Sequence, residues 1–230
     1  MSAARLGRYE LAEIIGTGGV AEAWRASFGD DQFRKTVVVK RVRPELRAQK
    51  ELGAAFLREA RIAQRLQHGN VVQVLDVGDD DGVPYIVLEH VDGCALQALI
   101  DRDGVLPLDV ALHVAEQVAL ALQHAHAAEN EHGAPLSLVH RDVTPGNVLL
   151  SKSGVVKLGD FGIARVRTSG NDTLPGFIKG TPIYLAPEQA AGRPVDARAD
   201  VYSLGLVLRR MLVGDGELDA LDEALAAIVL

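Results

Sequence analysis

The chain has 230 residues, 48% of them hydrophobic, with 24 Lys and Arg against 31 Asp and Glu. That apolar fraction is ample for a buried core, and a net charge of −7 argues against a nucleic-acid surface, so any anionic ligand must be held by local positive groups. The single cysteine, Cys94, excludes an internal disulfide and a multi-cysteine zinc site, and no apolar run reaches the roughly 18 residues of a membrane span; a reducing, cytoplasmic setting without a membrane segment is expected.

From Tyr9 to Glu89 short β-like runs predominate: Glu10 to Ile15, Ala21 to Ser27, Thr36 to Arg43, Val71 to Val77 and Pro84 to Glu89, several bounded by Gly or Asp. One helix interrupts them, Lys50 to Gln67, with Leu52, Phe56, Ala60, Ala63 and Leu66 on one stripe. A small sheet with one packed helix follows. After Asp92-Gly93, a hinge candidate, the pattern changes to long apolar helices. The main one runs from Leu106 to Ala128, with Leu108, Leu112, Ala115, Val118 or Ala119, Leu122 and Ala125 expected to face inward. The chain thus divides into residues 1–91, sheet-rich, and 92–230, mainly helical, and the junction of two domains is where small ligands usually sit. A last helix is predicted from Asp200 to Met211, followed by one short amphipathic segment, Leu218 to Leu230.

Chemistry concentrates in His140-Arg141-Asp142-Val143-Thr144-Pro145-Gly146-Asn147 and, after a short hydrophobic run, Asp160-Phe161-Gly162. An Asp-to-Asn step of five residues is too long for one helical face, so a tight loop at Pro145-Gly146 must aim Asp142 and Asn147 together. With Asp160 they supply the base and two metal ligands that phosphoryl transfer requires. Upstream, Gly16-Thr17-Gly18-Gly19-Val20-Ala21 sits between two predicted strands, where backbone amides could close over phosphates; alone, such a cluster is more often a plain turn. Lys40 ends the run Val37-Val38-Val39 and Glu59 lies on the first helix; each alone reads as a solvated surface charge. His124, His126 and His132 do not make a metal cluster, because His124 and His126 point to different faces of a helix.

Taken in order, the glycine loop, Lys40, Glu59, His140-Arg141-Asp142, Asn147, Asp160-Phe161-Gly162, Ala186-Pro187-Glu188 and Asp200-Val201-Tyr202-Ser203-Leu204-Gly205 resemble the protein kinase family, most closely the eukaryotic-like serine/threonine kinases of bacteria. The resemblance covers roughly residues 8 to 212. It implies an α+β, bilobal protein-kinase-like fold, with an N-terminal antiparallel sheet lobe carrying one main helix and a C-terminal mainly helical lobe lacking its usual last helices. It also implies transfer of the γ-phosphate of Mg-ATP to serine or threonine hydroxyls of proteins, with Mn2+ as a second usable metal, and autophosphorylation for which a homodimer would serve. Lys40 would bind the α- and β-phosphates and be held by Glu59; Asn147 and Asp160 would hold magnesium; Asp142 would orient the acceptor hydroxyl and receive its proton. Ile15, Gly16, Gly18, Gly19, Ala23, Val38, Leu88, Glu89, Val91 and Leu149 would line the nucleotide, with Leu88 to Val91 as the adenine-bonding hinge. Thr173, Thr168 and Ser169 are the candidate regulatory hydroxyls, and Thr181 is more structural.

Departures from the family pattern carry their own expectations. Ala21 replaces the loop's third glycine. Ala23 stands for the family's valine and Val38 for its alanine, a volume exchange expected to compensate within one packed site. Thr144 stands where many relatives carry a phosphate-contacting lysine, which together with the short second lobe supports a rival reading as a nucleotide-binding pseudokinase or scaffold. No arginine is expected to face Glu188.

Overall fold

A computed structural model of the chain describes residues 4–30, 32–161 and 182–214. Thr168, Ser169, Thr173, Thr181, Gly162 and the segment Leu218 to Leu230 lie outside the described residues. Two compact units emerge, with residues 4–67 and 72–90 in one and residues 68–71, 91–161 and 182–214 in the other.

In the first unit β1 (Ala4–Leu6), β2 (Tyr9–Thr17), β3 (Ala21–Gly29), β4 (Arg34–Val42), β5 (Val74–Asp80) and β6 (Val83–Glu89) form an antiparallel sheet in the order β1-β2-β3-β4-β6-β5. Alternation along β4 sets its two faces: Val37 and Val39 are fully buried in a core with Leu6, Tyr9, Leu11, Ala26 and Val87, which puts Val38 and Lys40 on the other side. Helix α1 (Lys50–Ala63) buries Gly53, Phe56, Ala60 and Ala63 and packs on β5 and β6. Gly53 is matched to its neighbour, since a Cβ there would stand 2.9 Å from Pro84 Cγ.

The helix stops four residues short of the expected Gln67. Its last turn tightens, with Arg65 N donating to Ile62 O at 3.1 Å and Leu66 N to Ala63 O at 3.0 Å, and Leu66 is buried from the turn rather than from the helix. Strand β5 likewise begins at Val74 instead of Val71. Val71 leaves this sheet for a parallel bridge to Leu158, beside Asn70, whose Nδ2 donates to Gln117 Oε1 and Val156 O, both at 2.9 Å.

In the second unit β7 (Gly93–Ala95), β8 (Val148–Ser151) and β9 (Val156–Leu158) make a small antiparallel sheet, joined by α2 (Leu96–Asp103), α3 (Leu108–His126), the single turn α4 (Pro187–Ala190) and α5 (Ala197–Val213). Gly93, in the expected hinge Asp92-Gly93, opens a strand. It is paired with Ser151 in β7, and a Cβ on it would meet Leu150 O at 1.8 Å, so glycine is required there for close approach of two strands. Helix α5 starts on Asp196, whose side chain accepts from Arg198 N at 2.9 Å, and ends at Gly214 with φ +77°.

Helix α3 corrects the expected stripe. Val118, Leu122 and Ala125 are buried as expected, but so are Ala111, Val114 and Ala121, whereas Leu108 and Leu112 are 61% and 50% exposed. The inward face is built on alanine where α3 packs on α5, whose Ala199 is itself fully buried; small side chains let the two backbones approach closely. Among the described residues no helix is long and apolar enough to cross a membrane.

Candidate functional site

Register in the first unit gathers much of the expected nucleotide face. Ala23 pairs with Lys40, Lys40 with Ile86, and Val38 with Leu88, so these five side chains project from one side of the sheet. Ile86 was missed; its two-residue spacing from Leu88 was the signal. The glycine loop joins β2 to β3 and closes through Gly18 N donating to Ala21 O at 2.9 Å, with Gly16 opposite Ala23 and Ile15 left unpaired, half exposed, at a bulge. Gly19 lies in the same loop. Glu89 ends β6, its Oε1 accepting from Gln73 N at 2.8 Å. Glu59 sits half-buried on α1, and its Oε2 is buried without a hydrogen-bond partner among the described residues. A buried carboxylate oxygen without a partner is costly to keep.

The catalytic-loop candidates lie in the second unit. Asn147 Nδ2 donates to Asp142 O at 2.7 Å and to Asp142 Oδ2 at 3.0 Å, so the five-residue step does aim both side chains together. The loop is closed by Asn147 N donating to Thr144 O at 3.0 Å and tied to the residue before Asp160 by Gly159 N donating to Asn147 O at 2.8 Å. Pro145 is buried and its carbonyl accepts from Gln97 N at 3.0 Å. Leu149, half-buried in β8, faces Ala95 and Lys157, and Val91 is half-buried before β7.

His140 is 1% exposed and packs edge-on against Phe161, ring centroids 4.5 Å apart. Its Nε2 lies 2.8 Å from Gly159 O and must be the protonated nitrogen, which leaves Nδ1 to accept from Asp142 N at 3.2 Å. Two left-handed residues mark the site, Arg141 at φ +66° and Asp160 at φ +65°. Non-glycine residues adopt this conformation at a cost of about 1–2 kcal/mol, so neighbours must hold them.

Arg141 is held by a group whose sequence signal was present but unassigned. Asp200 is fully buried on α5; Oδ1 accepts from Arg141 N and Oδ2 from His140 N, both at 2.8 Å, and His126 Nε2 lies 2.7 Å from Oδ2. His126, given no role by the sequence once a metal cluster was excluded, is the carboxylate's partner. Gln189 was also missed; on α4, its Nε2 donates to Arg141 O at 2.9 Å. Arg198 is paired with Asp196, Nη2 lying 2.9 Å from Oδ2.

The donor set fits a hard divalent cation. Asn147 turns its amide nitrogen to Asp142, which leaves Oδ1 for a metal, and Asp160 adds a carboxylate. Among the described residues no cluster of three His, Cys, Asp or Glu could cage a metal alone. Oxygen donors without a nitrogen or sulfur ligand suit a hard divalent cation.

Comparison with known proteins gives the same answer by an independent route. The description "Protein kinase domain" matches residues 9–225. The serine/threonine-protein kinase PksC of Streptomyces coelicolor is 42% identical over 93% of this chain and 38% of its own length, and the tyrosine-protein kinase MasK of Myxococcus xanthus is 39% identical over 90% and 33%. The chain therefore spans about a third of the length of the curated relatives it matches. The solved kinase domain of Mycobacterium tuberculosis PknI superposes with a TM-score of 0.69 at 30% identity, covering all of this chain and 91% of that one. A match across residues 9–225, on a chain whose Asp142 and Asn147 are hydrogen-bonded beside a buried His140, makes this chain a member of the protein kinase family.

Proposed function

We propose that the chain is a serine/threonine protein kinase domain, with residues 1–91 and 92–230 as its two lobes, acting in the cytoplasm on protein hydroxyls and on its own activation segment. The hydrogen bond between Asn147 and Asp142 carries this reading, because it fixes a carboxylate and an amide oxygen at one point of a loop braced on buried Asp200. Asp142 would align the acceptor hydroxyl and take its proton as the bond to phosphorus forms. Lys40, held by Glu59, would neutralise the α- and β-phosphates, and the hydrophobic face of Ala23, Val38 and Leu88 would receive adenine. Asn147 and Asp160 would hold Mg2+, which neutralises charge on the transferring phosphate. Thr144 leaves the loop one cation short, which lowers turnover without removing the base or the metal ligands.

Radiolabelled ATP and a generic protein acceptor test this, with Asp142→Asn as control and phosphoamino-acid analysis of the product. Phosphoserine or phosphothreonine from the parent, reduced at least a hundredfold in Asp142→Asn, supports the reading. Nucleotide binding without transfer would establish the pseudokinase, and phosphotyrosine alone would change the acceptor class.

A further inference from the structure

The peptide joining Arg141 to Asp142 is held at both ends. Its N–H, that of Asp142, donates to His140 Nδ1, and its carbonyl, that of Arg141, accepts from Gln189 Nε2 at 2.9 Å across 48 positions of sequence. Resting on the phosphotransfer reading above, we propose that Gln189 is a positioning residue that locks this peptide and so aims the Asp142 carboxylate.

Arg141 has φ +66°, a conformation that relaxes unless both flanking peptides are restrained. Asp200 restrains the peptide before it, through Arg141 N at 2.8 Å. Gln189 restrains the one after it. Strain in the left-handed backbone and the strength of one hydrogen bond are of the same order, so loss of the Gln189 donor is enough to let the peptide rotate and carry Asp142 away from Asn147.

The side chain is built for this task. Gln189 is half-buried on α4, behind Pro187 at the first helical position and the fully buried Ala186. Its Oε1 faces Ala186 N at 3.4 Å, a weak bond that caps the turn, so the amide has one orientation, with oxygen to the helix and nitrogen to the loop. Ala186 offers no side-chain acceptor in return, so the glutamine's stronger bond is the one to Arg141. A glutamate has the same length and no donor; its carboxylate would face a carbonyl oxygen.

The test uses the full chain with Gln189→Glu and Gln189→Leu. At saturating ATP and a temperature where both variants remain folded, kcat is expected to fall at least tenfold while KM for ATP stays within twofold, because the nucleotide-binding groups are untouched. Amide hydrogen exchange is the second readout, with Arg141, Asp142 and Val143 expected to exchange at least tenfold faster and the amides of α5 unchanged. Unchanged exchange at these three amides, or a kcat within twofold of an active parent, overturns the proposal. If the parent itself transfers no more phosphate than Asp142→Asn, the kinase reading fails, and the exchange measurement still decides whether Gln189 holds the loop.

Discussion

Replacing Asp200 with asparagine probes the brace beneath the catalytic loop with almost no change of shape. The carboxylate serves three partners: Arg141 N on Oδ1, and His140 N and His126 Nε2 on Oδ2. An asparagine that keeps its oxygen toward Arg141 turns Nδ2 toward the other two. His126 can change tautomer and accept, but the backbone N–H of His140 cannot, so one fully buried donor is orphaned at a cost of about 1–3 kcal/mol. Loss of charge assistance in the Arg141 bond adds about 1 kcal/mol. Flipping the amide merely orphans Arg141 instead. The sum, about 2–4 kcal/mol, corresponds in a chain of this size to a fall in Tm of roughly 4–16 °C. Thermal melts followed by circular dichroism measure it, and transfer should fall together with stability because Arg141 is released from its left-handed conformation. A Tm within 2 °C of the parent would refute the claim that buried Asp200 holds the loop.

Glu59→Leu should separate stability from activity. Removing a buried carboxylate oxygen that lacks a partner is expected to raise stability by about 1 kcal/mol, while turnover should fall at least tenfold because Glu59 is the residue proposed above to hold Lys40 during transfer; a lower Tm in this variant would contradict the burial argument. His68 supplies a pH signature. Its ring stacks on His124 with centroids 5.0 Å apart, and burial first, then the charges of His124 and Lys157, hold its pKa below the usual histidine value. The fold therefore refuses a proton that the unfolded chain accepts, so stability is complete above about pH 7 and declines as pH falls below about 6.5, toward the depressed folded pKa. His68→Gln should flatten the dependence of Tm on pH between 7 and 5.5, and an unchanged slope would rule His68 out as its source.

Legibility followed the range of the forces involved. His140, Asp142 and Asn147 stand at spacings set by one short loop, and Asp160 follows it after two short strands, so a local pattern announced them. Gln189 and the role of Asp200 depend on hydrogen bonds spanning 48 and 59 positions, which no local pattern encodes. Strands β1, β7, β8 and β9 are three or four residues long, too short for an alternation to register. Helix α3 misled because it is apolar nearly all round, so its hydrophobic residues do not choose a face. Its polar ones do: Asp109, His113, Glu116 and Gln123 trace a stripe opposite Ala111, Val114, Val118, Ala121 and Ala125. The end of α1 was misplaced because Leu66 keeps the helical spacing while leaving the helix.

The exchange of volume between positions 23 and 38 offers a sharper test of the nucleotide face than any single substitution. Ala23 lies opposite Lys40 across the β3–β4 ladder, and Val38 is two residues from Lys40 on the same strand, so the two side chains are diagonal neighbours on one face, both half-buried. Val38→Ala removes two methyl groups' worth of contact, about 1.6 kcal/mol at full burial, which sets an upper bound of roughly fifteenfold on the loss of ATP affinity. Ala23→Val alone adds the same volume beside an intact Val38 and overpacks the patch, which also weakens binding. If both side chains cover the same ligand surface, the double variant recovers to within about threefold of the parent, and the coupling energy measured by ATP titration exceeds about 1 kcal/mol. Losses that simply add would mean that the two positions touch different things, and the adenine face drawn from this register would have to be redrawn around Val38, Ile86 and Leu88 alone.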